Sequence, residues 1–171
     1  MDTWDAIRSR RNVRQFDQRT IPEADLDRVL EAGRIAPSSR NWQPWDFVAV
    51  TERDQLVRLA EVWRGGAHIA RAAAAVALIG PVPEDDRQRG WLFFDVGQAA
   101  MLMQVVAADF GIGSSHSAVG DQDLAREILG HPEDRTCIAI FSLGYPADRP
   151  LAPIERFNRR PFGEVVHRGR W

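Results

Sequence analysis

Apolar positions along this chain are spaced as five helices and three strands. Residues 2–10 read as a short first helix. Thr20-Ile21-Pro22-Glu23 opens a second, with threonine as its cap, glutamate three residues on and proline in the first turn. Leu26, Val29, Leu30 and Gly33 then form a helical stripe that ends near Ala36. Phe47, Val48 and Val50 predict a strand, and Leu56, Leu59, Ala60 and Trp63 a third helix. Residues 73–79 are continuously apolar, as in a strand buried on both faces. The longest helix spans 91–110 and is apolar almost all round. Phe93, Phe94, Val96, Met101, Leu102 and Val106 cannot share one stripe, so it must be covered from several sides, as a core helix, a subunit contact or both. Gly111-Ile112-Gly113-Ser114-Ser115-His116 breaks it; Asp121 caps a helix to Leu129, and 136–143 is the third strand. Helices and strands alternate without a βαβ rhythm, which predicts an α+β fold with a central mixed or antiparallel sheet flanked by helices. At 171 residues one domain accounts for the chain.

Residues 146–171 form a proline-punctuated extension with few apolar positions. Such a tail orders only against another surface, its own domain or a second subunit. Its Glu164-Val165-Val166-His167 end is strand-like and suits an added edge strand.

Composition narrows the class. Apolar residues make up 44% of the chain, and no charge-free run approaches the ~20 residues needed to span a bilayer. The N-terminus has no signal-peptide core, so the expectation is a cytoplasmic protein with no membrane partner. A net charge of −2 predicts no nucleic-acid partner. All 22 basic residues are arginine. The absence of lysine excludes a pyridoxal Schiff base and a P-loop, and leaves every cation a planar, permanently charged fork. Cys137, the lone cysteine, lies in the apolar run Thr136-Cys137-Ile138-Ala139 and reads as a small buried hydrophobe.

Two segments carry candidate chemistry. Arg10, Arg11 and Arg14 cluster where the first helix ends. Taken alone they read as a solvated basic helix end, favoured by the helix dipole. With Arg159 and Arg160 they could equally hold a phosphate. Ser38, Ser39, Asn41 and Gln43 place four short polar side chains within six residues, between Pro37 and Pro44. A helix-ending turn accounts for Pro37 and Ser38 but not for the Asn41-Trp42-Gln43-Pro44-Trp45 continuation. Asparagine and glutamine amides match the donor and acceptor edge of a pyrimidine ring. A ligand with both a phosphate and a flat hydrogen-bonding ring would use both segments, and flavin mononucleotide (FMN) is one.

Arg10-Arg11-Asn12-Val13-Arg14-Gln15-Phe16 resembles the opening of the nitroreductase-like flavoproteins. Ala36-Pro37-Ser38-Ser39-Arg40-Asn41-Trp42-Gln43-Pro44-Trp45 is similar to their second signature, the long helix with Gly111-Ile112-Gly113 to their third, and Arg159-Arg160-Pro161-Phe162-Gly163-Glu164 to their C-terminal basic segment. The resemblance implies an intertwined homodimer with one FMN at each of two interface sites, the 146–171 extension packing on the partner. It implies Arg10, Arg11 and Asn12 at the phosphate and ribityl end, with Arg159 and Arg160 closing on the phosphate. Arg14 is then placed against the pyrimidine ring; Ser38, Ser39, Asn41 and Gln43 come from the partner, and the backbone at Ser114 and Ser115 faces the central ring. Asn12 stands where serine is usual, and Arg14 where lysine is common.

On this reading the flavin carries out the hydride chemistry, and Arg14 stabilises the negative charge that reduction places on its ring. The implied activity is NADH- or NADPH-dependent, ping-pong reduction of nitroaromatics, quinones or similar flat acceptors. Residues 80–90 leave little to cover the site, which predicts an open one. Trp42 and Trp45 could wall it or pack the core, and His116 is a candidate proton donor. Two other classes fit the residues: a flavin-holding protein without turnover, and a basic interaction module without cofactor.

Overall fold

The computed structural model describes residues 1–171 and contains six α-helices and four strands. In chain order these are α1 (Thr3–Ser9), α2 (Glu23–Arg34), β1 (Asp46–Val50), α3 (Arg53–Leu59), β2 (Ala74–Pro81), α4 (Asp86–Asp109), β3 (Gly113–Ser117), α5 (Gln122–Leu129), β4 (Arg135–Gly144) and α6 (Phe162–Val165). The strands form one sheet in the order β1-β2-β4-β3, and every pairing is antiparallel. Of the expected mixed or antiparallel sheet, the antiparallel form is therefore the one adopted.

Strand alternation sorts the core into two halves. Ala74, Val76 and Leu78 of β2, with Phe141 and Leu143 of β4, face α2 and α4. Ala75, Ala77 and Ile79, with Cys137 and Ile140, face α3 and α5. β2 is buried on both sides, as its unbroken apolar run requires. Each face carries over ten buried apolar residues, and together they hold the sheet as a rigid central plate.

Several local expectations change in the folded chain. The second helix is not capped by Thr20; Pro22 occupies the cap position with no side-chain bond, and its carbonyl accepts from Asp25 and Leu26. The long helix starts at Asp86 rather than 91, because Asp85 caps it by accepting from Gln88 N–H at 2.7 Å. Residues 80–90 are thus largely strand end and helix start. The break after this helix is short: Gly111 takes φ +72°, and Gly113 already begins a fourth strand. The strand-like 164–167 segment instead supplies the end of the single-turn α6. Pro161 opens that turn and Arg160 Nη2 donates to the Glu164 carbonyl at 3.0 Å, with no strand alongside to pair with.

α4 is long and apolar enough to cross a membrane by length and composition alone, yet half of that stretch is buried inside the protein. It packs mainly on α2, where Gly33 lets Met103 and Phe47 approach. Its remaining face leaves Trp91, Phe94, Met101 and Leu102 exposed. The reading of this helix as a core element is correct, and its outer side remains apolar.

β3 sits at the sheet edge, but its outer side is not empty. Val13 N–H donates to the Ser114 carbonyl at 2.9 Å, and Asn12 bridges to Ser114 in parallel register. Val13 rests directly over Gly113, where an added Cβ would come within 2.6 Å of the valine methyls. Gly113→Ala should therefore push Val13 off the edge strand and destabilise the protein by about 1–3 kcal/mol in urea unfolding. Unchanged stability would mean that residues 12–13 are not anchored there.

Candidate functional site

The arginine segment enters this fold as a strand-like strip along β3. Residues 145–154 run along its other side: Asp17 N–H donates to Tyr145 O, Ala147 N–H to Gln15 O, and Ile154 N–H to Arg8 O. The two ends of the chain are thereby zipped together. Arg11 adds a side-chain clamp, donating to Asp148 Oδ1 and to the Arg149 carbonyl, both at 2.8 Å. Its guanidinium, which stabilises the Asp148 carboxylate and holds its pKa below the ordinary value, is committed to the C-terminal segment.

Arg10 differs. Its Nη1 reaches Gln104 Oε1 at 2.7 Å and Asn12 Oδ1 at 3.2 Å, both neutral acceptors. Burial lowers its pKa, and the nearby positive charge of Arg159 lowers it further. Arg159 itself donates from Nη1 to the neighbouring Asn158 carbonyl at 2.7 Å. Arg160 is engaged with Glu164. Neither Arg10 nor Arg159 has a carboxylate partner, which leaves positive charge available to an anion.

Behind β3 lies a buried polar chain that sequence reasoning missed. Ser142 Oγ donates to the Ser115 carbonyl at 3.2 Å. A hydroxyl has one proton, so the 2.8 Å contact to His68 Nδ1 requires the imidazole to be the donor, which assigns the Nδ1–H tautomer. Burial, then the charge of Arg14 and the proximity of His116, depresses the His68 pKa. Arg14, His68 and His116 are thus neighbours. His116 is exposed and edge-on to Phe141, and Ser115 Oγ is buried without a partner.

Residues 38–43 form a separate structure. Ser39 donates from its backbone N–H (3.0 Å) and its Oγ (3.2 Å) to the carboxylate of Asp95 in α4. Gln43 N–H donates to Ser38 Oγ and Gln43 Nε2 to the Asn41 carbonyl, so part of the loop's polarity is spent on itself. Arg40, Asn41 and Gln43 all have φ between 51° and 58°, a left-handed conformation that side chains other than glycine seldom adopt. Trp45 is buried and stacked on Phe47, which leaves Trp42 alone to line open space.

Asp95 and Gln104 anchor the two parts of the site. They lie nine residues apart on α4, two and a half turns, which is about 14 Å along the axis and opposite sides around it. Within one chain the helix separates the loop from the arginine cluster. The structure brings Arg10, Arg11, Asn12, Arg14, Ser114, Ser115 and Arg159 into one region and Ser38, Ser39, Asn41 and Gln43 into another. Asp95, Gln98 and Gln104 were visible in the sequence as polar exceptions within the apolar stretch of α4; only the fold shows what Asp95 and Gln104 hold. Cys137 is no part of either region, since burial pushes its thiol up to about 12.

Comparison with known proteins agrees with this architecture. The model of the nitroreductase family matches residues 7–81 and 61–145. A protein of Archaeoglobus fulgidus, provisionally named NADH dehydrogenase/NAD(P)H nitroreductase, is 30% identical over 171 residues, covering 96% of both chains. The chain belongs to the nitroreductase family. A crystal structure from Parabacteroides distasonis with the same provisional name superposes with a TM-score of 0.80 at 26% identity, covering 97% of this chain and 96% of that one. A Clostridium difficile protein named an FMN-dependent nitroreductase shares the fold at TM-score 0.83 and 23% identity, over 97% and 98% of the two chains.

Two outcomes test this nitroreductase-family geometry. Asp148→Asn should speed tryptic cleavage within residues 149–160, and Arg11→Gln should do the same with little further effect in the double variant; independent effects would show that the two do not act as one clamp. The depressed His68 pKa means that the folded state takes up a proton less readily than the unfolded chain. The stability it contributes is complete above about pH 6.5 and declines as pH falls below that value. His68→Gln should flatten this part of the stability–pH curve in thermal melts.

Proposed function

We propose that this nitroreductase-family protein is an FMN-dependent oxidoreductase that takes electrons from NADH or NADPH and delivers them, by ping-pong turnover, to nitroaromatics, quinones or similar flat electron-poor acceptors. The observation that carries this reading is that Arg10, held by the neutral acceptors Gln104 and Asn12, has no carboxylate partner and feels the positive charge of Arg159. A phosphate dianion relieves that repulsion. The residues present fit the cofactor.

Bound FMN supplies two-electron hydride transfer. The chain supplies position and field. Arg10, Asn12, Arg159 and Arg160 hold the phosphate and ribityl end, while Arg11 acts by keeping the C-terminal segment in register. Arg14 sets a fixed positive charge beside the pyrimidine ring, favouring the state with more negative charge there. It also helps keep the buried His68 neutral, with its Nδ1–H donating to Ser142 Oγ behind β3. The Ser114–Ser115 backbone faces the ring centre.

Ser38, Ser39, Asn41 and Gln43 complete the site from a second copy, because α4 divides them from the arginines of their own chain. The exposed Phe94, Met101 and Leu102 on α4 supply an apolar surface for that copy. Phe157, Phe162, Val165 and Trp171 of the extension are likewise exposed and fit a tail that packs on the partner subunit.

Purified protein should be yellow, bleach with a nicotinamide donor and recolour with a quinone. Protein that stays yellow with both donors is a flavin holder, and colourless protein that gains no thermal stability from FMN rejects the cofactor altogether. Arg10→Ala should weaken FMN binding by about tenfold or more in a fluorescence titration, corresponding to the loss of one charge-assisted bond.

A further inference from the structure

A cleft of about 860 Å³ opens between the residue 38–43 loop and the first turns of α4. Its walls include Arg40 and Trp42 on one side and Glu84, Arg87 and Trp91 on the other. None of the roles assigned so far uses these side chains.

Two indoles face this cleft. Trp45 is buried, whereas Trp42 and Trp91 are 40% and 50% exposed, and both look into the same cleft. The left-handed backbone at Arg40 and Asn41 holds the Trp42 side of the loop in place, with Trp42 N–H bonded to the Ser39 carbonyl at 3.0 Å. Arg40 and Arg87 have no ion pair, although the neighbouring Arg89 pairs with Asp86. The Asp85 carboxylate is occupied in capping α4. Glu84 donates its backbone N–H to the Gln88 side-chain carbonyl, and its own carboxylate has no partner. The cleft therefore offers two aromatic faces, two unpaired guanidiniums and one unpaired carboxylate, in a volume suited to a nucleotide-sized ligand.

Each group has a natural counterpart in adenosine diphosphate. Indoles stack on a purine base, guanidiniums fork onto phosphate oxygens, and a carboxylate accepts hydrogen bonds from the ribose hydroxyls. A carboxylate also repels a phosphate on that ribose. Ser39 lines the cleft as well, so its occupant lies beside the loop that approaches the cofactor.

We infer that this cleft seats the adenosine diphosphate half of the nicotinamide donor, and that Glu84 makes the protein prefer NADH to NADPH. The inference rests on the proposed oxidoreductase reading, because it supplies that reading's donor with a second point of attachment. Trp42 and Trp91 take the adenine, Arg40 and Arg87 the diphosphate, and Glu84 the ribose.

The test uses the flavin-loaded protein and rapid-mixing measurement of flavin bleaching by three donors: NADH, NADPH, and N-benzyl-dihydronicotinamide, which has no adenosine diphosphate. The unmodified protein should favour NADH over NADPH by tenfold or more. Arg87→Ala and Trp91→Ala should each raise the half-saturating NADH concentration at least tenfold relative to that of the benzyl donor. Glu84→Gln should narrow the gap between NADH and NADPH. Calorimetric titration with ADP gives a readout independent of turnover, and Arg87→Ala should weaken ADP binding about tenfold.

Equal losses with NADH and the benzyl donor, no loss with either, or ADP binding that Arg87→Ala does not alter would overturn the assignment. Variants that change only reoxidation by the acceptor would give the cleft to the acceptor instead. If no donor bleaches the flavin while ADP still binds through Arg87, the oxidoreductase reading fails and the nucleotide cleft stands.

Discussion

The site depends on holding like charges together. Arg10 and Arg159 come from opposite ends of the chain, and each sits within the field of the other with no acid between them. Repulsion of this kind disperses arginines in an unconstrained chain. Here it is overcome by backbone bonding: residue 13 is tied to β3, residues 8, 15 and 17 to the 145–154 segment, and Arg11 to Asp148. Each bond is modest, about 0.5–1.5 kcal/mol, but they act together on one strip of chain. The result is a local excess of positive charge that no acid of the chain pairs with at Arg10.

α4 governs the rest of the architecture. Its inward face makes the core, and two buried polar residues interrupt that face on opposite sides. Asp95, fully buried, is satisfied by the Ser39 backbone and hydroxyl; Gln104 is satisfied by Arg10. A carboxylate in that position is tolerable only with such donors, so the loop and the helix fix each other. The same helix keeps the loop away from the arginines of its own chain. The proposed dimer answers that division: the apolar outer face of α4 is open to a second copy, which would supply the other half.

The buried His68–Ser142–Ser115 chain links the sheet's rear face to its candidate working edge. The Nδ1–H donor serves it in either charge state of His68, and burial together with Arg14 favours the neutral ring. Positive charge near β3 thus serves two ends, attracting an anion on one side and excluding a proton on the other.

The chain's residue pattern was enough to read the arginine cluster, the polar loop, α2, α4, α5 and three of the four strands, because each has a local signature in apolar spacing or in residue type. β3 was not legible: Gly113-Ser114-Ser115-His116-Ser117 has little intrinsic strand preference and is extended because β4 and residues 12–13 pair with it from either side. The fate of Val165-Val166 was equally nonlocal, since a strand-like sequence without a neighbour folded into a turn. Residue type alone also could not divide Trp42 from Trp45, or Arg10 from Arg11; one indole is buried and the other lines a cleft, and one guanidinium is left among neutral partners while the other is tied to Asp148. By itself, then, the sequence determined which chemical groups are available and roughly where most helices and strands lie. Which groups meet, which are consumed by internal partners and which remain free was decided only by tertiary structure, because those outcomes depend on contacts between residues far apart in the chain.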